Sequence, residues 1–460
     1  MKTSLTADNT REHLARLQQA NTDFANLYPG EDARRQPVHT VYGGAHLFKS
    51  DTPRRLGSLA LRALEAFAPD ADTFARALGL TSAGDSAGDE LTAALARTIY
   101  ERVREKLERE PVEDFRIDFE DGYGNRPDAE EDGHAETAAR ETARGLESGT
   151  LSPFIGIRIK PFNEELRARS LRTLDIFIST LASELGGALP PNFVVTLPKI
   201  TVPEQTAALA GIFDLLESQF GLAAGTLKME MMIETTQSII NHEGRINLPL
   251  LLAAARGRCT AAHFGTYDYT AGCNITAAHQ HMTHPSCDFA KHMMQVSFTG
   301  TGVWLSDGAT NIMPVAPHRA AEGATLSPAQ EDENRRTVGR AWRIHYGHVQ
   351  HSLTGGFYQG WDLHPAQLPT RYAAVYAFFL QSLDAASERL RNFVEKAAKA
   401  TLVGDVFDDA ATGQGLLNYF LRAINCGAIT EAEALQRTSL TLAELRSGSF
   451  VQILNSRQNL

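Results

Sequence analysis

The chain has 460 residues, 43% hydrophobic and 22% charged, enough for one large domain with extras or two to three modest ones. A formal net charge of −11, from 44 Lys and Arg against 55 Asp and Glu, excludes a general nucleic-acid binder, whose phosphate contacts need a basic face. No apolar run approaches the roughly 18 residues that cross a membrane. The opening "MKTSLTADNTREHLARLQQA" lacks the apolar core of a secretion signal, and four scattered cysteines without a CxxC pair point to reduced thiols in a cytoplasm.

In chain order, residues 1–36 form an N-terminal helical segment with an amphipathic pattern, and "PVHTVYGG" (37–44) is the first strand. Residues 45–113 carry apolar periodicity in "LGSLALRALEAFA" and "LTAALARTIYERVREKL" around a small, polar turn, which predicts a helical insertion. Strand runs follow at 114–121, 154–161, 192–199, 227–234, 260–267, 301–308 and 355–365, largely apolar, as parallel strands covered on both faces are. Between them lie helix signals. In "SPAQEDENRRTVGRAWRIHYGHV", Ser327 is the N-cap, Pro328 the first helical residue and Gln330 the partner in a capping box, with Val338, Ala341, Trp342, His345 and Val349 on one face. After Pro369 only helical patterns continue. The fold class is therefore α/β: a TIM (β/α)8 barrel over 37–369 and a C-terminal helical plug domain over 370–460.

In such a barrel the chemistry sits at the C-terminal ends of the strands. Those ends are polar here: Asp118, Glu120 and Asp121, then Arg158 and Lys160, Lys199, Glu234, and Asp268 in the turn after the sixth run. A single charge at a strand end is as often merely solvated, but seven or eight on one rim are not. Glu234 and Asp268, from adjacent strands, are the pair a Mg²⁺ ion favours, because Mg²⁺ keeps several waters and takes one or two carboxylates.

At these residues the chain resembles the malate synthase and citrate lyase beta-subunit superfamily, phosphoenolpyruvate/pyruvate-type barrels that use Mg²⁺. The resemblance is carried by "IDFEDG", "GIRIKP", "TLPKI", "GTLKMEMMIETTQSI", "HFGTYDYTAG", "GWDLHPAQLP" and "FDDAATGQG", in that order over about residues 37–430. It implies that Glu234 and Asp268 ligate Mg²⁺, or Mn²⁺ in its place, with Glu120 and Asp121 nearby holding metal-bound waters. It implies that Arg158 stabilises an oxyanion and that Asp409 is the base that forms an enolate. Thr266, Tyr267 and Lys199 would contact the substrate, with main-chain N–H groups of the Thr266–Asp268 turn on a 2-oxoacid carboxylate. The malate synthase turn has Arg-Trp where this chain has Thr266 and Tyr267, so the resemblance reaches to enolate chemistry on a small, glyoxylate-like 2-oxoacid with an acyl-CoA or pyruvate-type donor. Nothing in the composition or the motifs opposes an oligomer.

Other motifs compete. "ITAAHQHMTHPSCDFAKH" gathers His279, His281, His284, Cys287, Asp288 and His292 after the sixth run, where an alternative zinc-dependent hydrolase would have its ligands, although the spacing meets zinc-site rules only in part. The other alternative is a non-catalytic metabolite-binding barrel. "HEGRI" lacks the second histidine of a zinc protease, and Met229, Met231 and Met232 read as core packing.

Overall fold

Eight parallel strands close into a barrel in which each pairs with the next and the last returns to the first. They are β1 (His39–Gly44), β2 (Asp114–Asp118), β3 (Phe154–Arg158), β4 (Phe193–Leu197), β5 (Lys228–Ile233), β6 (Cys259–Phe264), β7 (Trp304–Ala309) and β8 (Gln359–Asp362). The structure is a computed structural model; it describes all residues except 1–2, 31, 33, 81–87, 322, 396–400, 404–405, 409, 448, 450–451 and 454–460. The helices, in chain order, are α1 (Ala7–Leu27), α2 (Thr52–Phe67), α3 (Ala71–Leu78), α4 (Gly88–Arg109), α5 (Asp128–Glu147), α6 (Arg167–Glu184), α7 (Pro203–Phe220) and α8 (Thr236–Ile239). They continue with α9 (Leu248–Ala254), α10 (Thr266–Gly272), α11 (Pro285–Phe298), α12 (Pro328–Thr354), α13 (Leu368–Glu395), α14 (Ala410–Asn425), α15 (Glu431–Thr438) and α16 (Leu442–Arg446).

All eight expected strands are present, but most stop short of the runs' C-terminal ends. β2 ends at Asp118 and β4 at Leu197, so Glu120, Asp121 and Lys199 lie on turns beyond the sheet. On the outer face Ile117, Ile157, Val195 and Leu197 are buried, and Phe177 of α6 meets Phe119 edge-on and stacks on Phe193. This is the layer in which apolar area leaves water, and it supplies most of the driving force.

Inside the barrel the expectation of apolar strands fails. Arg116 Nη2 lies 2.7 Å from Asp114 Oδ2 and 2.8 Å from Glu230 Oε2, while Thr40 and Thr196 donate to the same two carboxylates. β2 and β5 are not neighbours, so the Arg116–Glu230 pair crosses the interior. Period-2 alternation within β2 puts Asp114, Arg116 and Asp118 on that inner face, and such charges are tolerated in burial because they are paired. Above them Tyr42 packs on Trp361 at 4.6 Å, and Trp361 Nε1 donates to His263 Nδ1. Met229 and Met231 join the apolar core; Met232 instead meets the Tyr42 hydroxyl.

The insertion between β1 and β2 is helical, as expected, and packs on α12 through Phe74 and Trp342, whose rings meet edge-on at 5.5 Å. α12 starts on the Ser327–Gln330 capping box and buries Val338, Ala341, Trp342, His345 and Val349. The stretch after Pro369 departs from the all-helical expectation: Thr401–Val403 (β9) and Val406–Asp408 (β10) pair antiparallel. Strands of three residues are too short to leave a periodic signal. α1 forms on a Thr6–Asn9 capping box but buries none of its residues. Among the described residues no helix is long and apolar enough to cross a membrane, and all four cysteines are free thiols.

Candidate active site at the barrel rim

β2 ends on Asp118, which is fully buried. Its carboxylate accepts Arg158 Nε at 2.7 Å and Nη2 at 2.6 Å, together with the main-chain N–H groups of Glu120 and Gly122. A Cβ on Gly122 would stand 2.5 Å from Asp118 Oδ2, so the turn closes only on glycine. The Arg158 guanidinium is thereby clamped over the Tyr42 ring, with Cζ 4.8 Å from its centroid and Nη1 3.2 Å from Glu120 Oε2. Burial works against its charge, but Asp118 and Glu120 outweigh burial and hold its pKa above the ordinary value.

Glu234 follows directly on β5 and is buried. Desolvation first, and the facing Asp268 second, push its pKa up to about 8 against the pull of Lys199 and Arg158. Gly265, at the end of β6, makes room for it: a Cβ there would lie 2.5 Å from Glu234 Oε2. Asp268 sits in the first turn of α10 with its side chain 40% exposed, so one carboxylate of the pair is buried and the other faces the mouth.

Lys199 joins these groups. Its backbone is left-handed, with φ of 51°, a conformation that costs a residue with a Cβ about 1–2 kcal/mol. In that conformation its main-chain N–H donates to Glu234 Oε1 at 2.7 Å. Its ammonium pairs with Glu120 and Asp121, at 3.1 Å from Asp121 Oδ2, and lies 3.7 Å from Asp268 Oδ1. Desolvation works against the ammonium's charge, but Glu120 and Glu234 raise its pKa. Desolvation pushes the Glu120 carboxyl up, whereas for Asp121 the Lys199 charge overcomes desolvation and pulls it down.

Eight of the nine residues singled out from the sequence can be placed. Glu120, Asp121, Arg158, Lys199, Glu234 and Asp268 converge on one rim. Thr266 and Tyr267 are on the same turn, but the Tyr267 hydroxyl donates to Ala309 O at 2.7 Å and the Thr266 side chain is buried against Gly308. Their side chains build the wall of the turn. Asp409 lies outside the described residues. Sequence reasoning gave Asp118 no role and passed over Tyr42 and Gly265; the signal for Asp118 was its place two residues before Glu120 with Gly122 closing the turn.

The histidine run does not converge. His284 N-caps α11, accepting from the Ser286 N–H; His281 meets Thr283; Cys287 is buried; and Asp288 pairs with His351 on α12. Among the described residues no group of three or more His, Cys, Asp or Glu could hold a metal ion. At the rim the donors are two carboxylates, Glu234 and Asp268, all oxygen. That set fits a hard divalent cation that completes its sphere with water, and does not fit zinc in a closed protein site.

A family model described as a domain of unknown function, DUF6986, matches residues 17–453. The chain belongs to the DUF6986 family. No curated protein matches it. Among solved structures, a citrate lyase from Burkholderia xenovorans LB400 is 17% identical to this DUF6986 chain, covering 76% of it and 92% of the lyase with a TM-score of 0.53. A Haloferax volcanii malate synthase in a magnesium/glyoxylate complex is 13% identical, over 89% and 97% of the two chains, with a TM-score of 0.43. The protein CitE of Mycobacterium tuberculosis, in complex with magnesium and pyruvate, is 13% identical, over 76% and 92%, with a TM-score of 0.38. The first is a likeness of fold and agrees with the eight-stranded barrel. The other two fall too low to bear on this DUF6986 chain.

Proposed function

We propose that this chain is a divalent-cation-dependent carbon–carbon lyase or synthase that works through an enolate. Its substrate on this reading is a small 2-oxoacid of the glyoxylate type, with an acyl-CoA or pyruvate-type partner. The observation that carries the reading is the Glu234–Asp268 pair: two carboxylates, one of them buried, joined through Lys199 beside a clamped guanidinium, with the Asp268 charge adding to the desolvation that raises the Glu234 carboxyl. Packing alone does not account for two carboxylates set together at a partly buried rim, because desolvating a carboxylate is costly.

Glu234 and Asp268 would hold Mg²⁺ or Mn²⁺, which when bound polarises the 2-oxoacid carbonyl and draws charge toward itself. Arg158 supplies fixed positive charge where an enolate oxygen develops; because Asp118 grips two of its nitrogens, it need not reorganise as that charge forms. Main-chain N–H groups of the Thr266–Asp268 turn orient the substrate carboxylate, being the donors that the first turn of a helix leaves without intrahelical partners. Tyr42 and Trp361 floor the site with aromatic surface and limit water beneath the reacting carbons. The proton that leaves carbon goes to a carboxylate base, the role that the resemblance gives to Asp409.

The test is a substrate panel of glyoxylate and pyruvate, each with and without acyl-CoA thioesters, assayed in Mg²⁺ and in EDTA. Turnover that needs the cation and falls by about 10³-fold or more in Glu234→Ala with the fold retained is the expected result. Turnover unaffected by EDTA and by Glu234→Ala would sink the reading.

A further inference from the structure

Lys199 is placed as no ordinary surface lysine is. Of five carboxylates at the rim among the described residues it touches four: Glu234 through its main-chain N–H, and Glu120, Asp121 and Asp268 through its ammonium. The fifth, Asp118, is held by Arg158. The chain adopts left-handed backbone at this lysine, where glycine or asparagine would sit with less strain. The Nζ is also the cation nearest to Asp268, whose neighbour in the pair, Glu234, is fixed by the same residue's backbone.

We propose that Lys199 is a tethered monovalent counter-cation of the rim, which shares its carboxylates with the divalent ion and so sets the affinity and charge selectivity of the site. This rests on the cation reading above and extends it. A mobile monovalent ion brings no more charge to Glu120, Asp121 and Asp268 than the ammonium already there, and it lacks the tether that keeps the ammonium at high local concentration. A divalent ion brings twice the charge and prevails. The ammonium also allows four carboxylates to stand together in a partly buried rim without mutual repulsion opening it. Lys199 is thus a positioning residue that carries no proton and touches no reacting carbon in this role.

Mn²⁺ titration of the full chain by calorimetry and by electron paramagnetic resonance, in wild type and variants, tests it, with circular dichroism reporting the fold. Lys199→Met, which removes the charge but keeps the stem, is expected to bind Mn²⁺ on the order of tenfold more tightly, and to become sensitive to competition by KCl. Lys199→Arg is expected to stay within about threefold of wild type. Lys199→Gly removes the ammonium while relieving the left-handed backbone, and should gain affinity as Lys199→Met does. Affinity gained on removing a residue is not something a merely structural role produces. If wild type binds Mn²⁺ and neither uncharged variant binds it more tightly, the Lys199 inference is overturned and the cation site stands. If wild type binds no Mn²⁺, the cation reading itself fails.

Discussion

Gly265 stands where the Glu234 carboxylate needs space: a Cβ on Gly265 would come within 2.5 Å of both Glu234 Cβ and Oε2. The backbone at Gly265, with φ of −99°, is one that alanine adopts freely, so Gly265→Ala tests the contact and not the conformation. The variant should lose Mn²⁺ affinity on the order of tenfold or more as Glu234 is pushed aside. Overpacking should cost about 1–3 kcal/mol in chemical denaturation. An alanine variant with unchanged Mn²⁺ binding would show that Glu234 does not need this position.

The Asp118–Arg158 pair is two-pronged and buried, and Asp118 also ties down the turn that carries Glu120. Asp118→Ala should therefore do two things at once. It leaves a buried guanidinium with Glu120 alone beside it, at a cost of about 3 kcal/mol, and frees Arg158 from its place over Tyr42. Asp118→Asn keeps one acceptor and the shape, so it should fold better while losing activity by about 10²-fold, the scale of one preorganised electrostatic contact. Urea unfolding and steady-state kinetics on the same preparations separate the two effects.

The barrel was legible because Val, Ile and Phe recur in short runs at strand spacing, from "VVTL" in β4 to "FIGI" in β3. What was not legible follows from the same period. Arg116, Asp114 and Glu230 occupy inward positions on strands whose outward residues are apolar, and nothing in a single strand says that its charges find partners across the barrel. The rim was readable as a convergence of charge at Glu234, Asp268, Lys199 and Arg158. Asp118 was not, since its role lies in a grip on Arg158 from 40 residues away. Thr266 and Tyr267 carried an expectation of substrate contact centred on the main-chain N–H groups of their turn; the structure adds that the Tyr267 hydroxyl is committed to Ala309 O. The histidine run drew attention by composition, and composition does not report direction.

For that run the expected outcome is structural. His284 caps α11 through its ring nitrogen, with the Ser286 N–H at 3.1 Å. His284→Ala should lower stability by about 1 kcal/mol, the scale of a lost N-cap, and leave the divalent-ion content of the purified protein unchanged. Elemental analysis beside thermal unfolding decides it; zinc lost in step with His281 and His284 substitution would restore the hydrolase reading.

Glu234 gives the chain a pH signature of its own. Its pKa is raised to about 8, by desolvation before the repulsion of Asp268, so the folded chain holds this proton more tightly than the unfolded chain does. A raised carboxyl stabilises the fold fully below the ordinary carboxyl range, and that contribution is lost as pH rises through about 8. In EDTA, Tm should thus fall between about pH 5 and pH 8.5 by an amount that Glu234→Gln removes, since the amide is neutral throughout. Adding Mn²⁺ at the upper pH should raise Tm again in wild type, because the ion binds the ionised pair of the folded chain only, and should do little in Glu234→Gln. A wild-type Tm profile that matches the glutamine variant across this window, with and without Mn²⁺, would mean that Glu234 titrates as an ordinary solvated carboxylate.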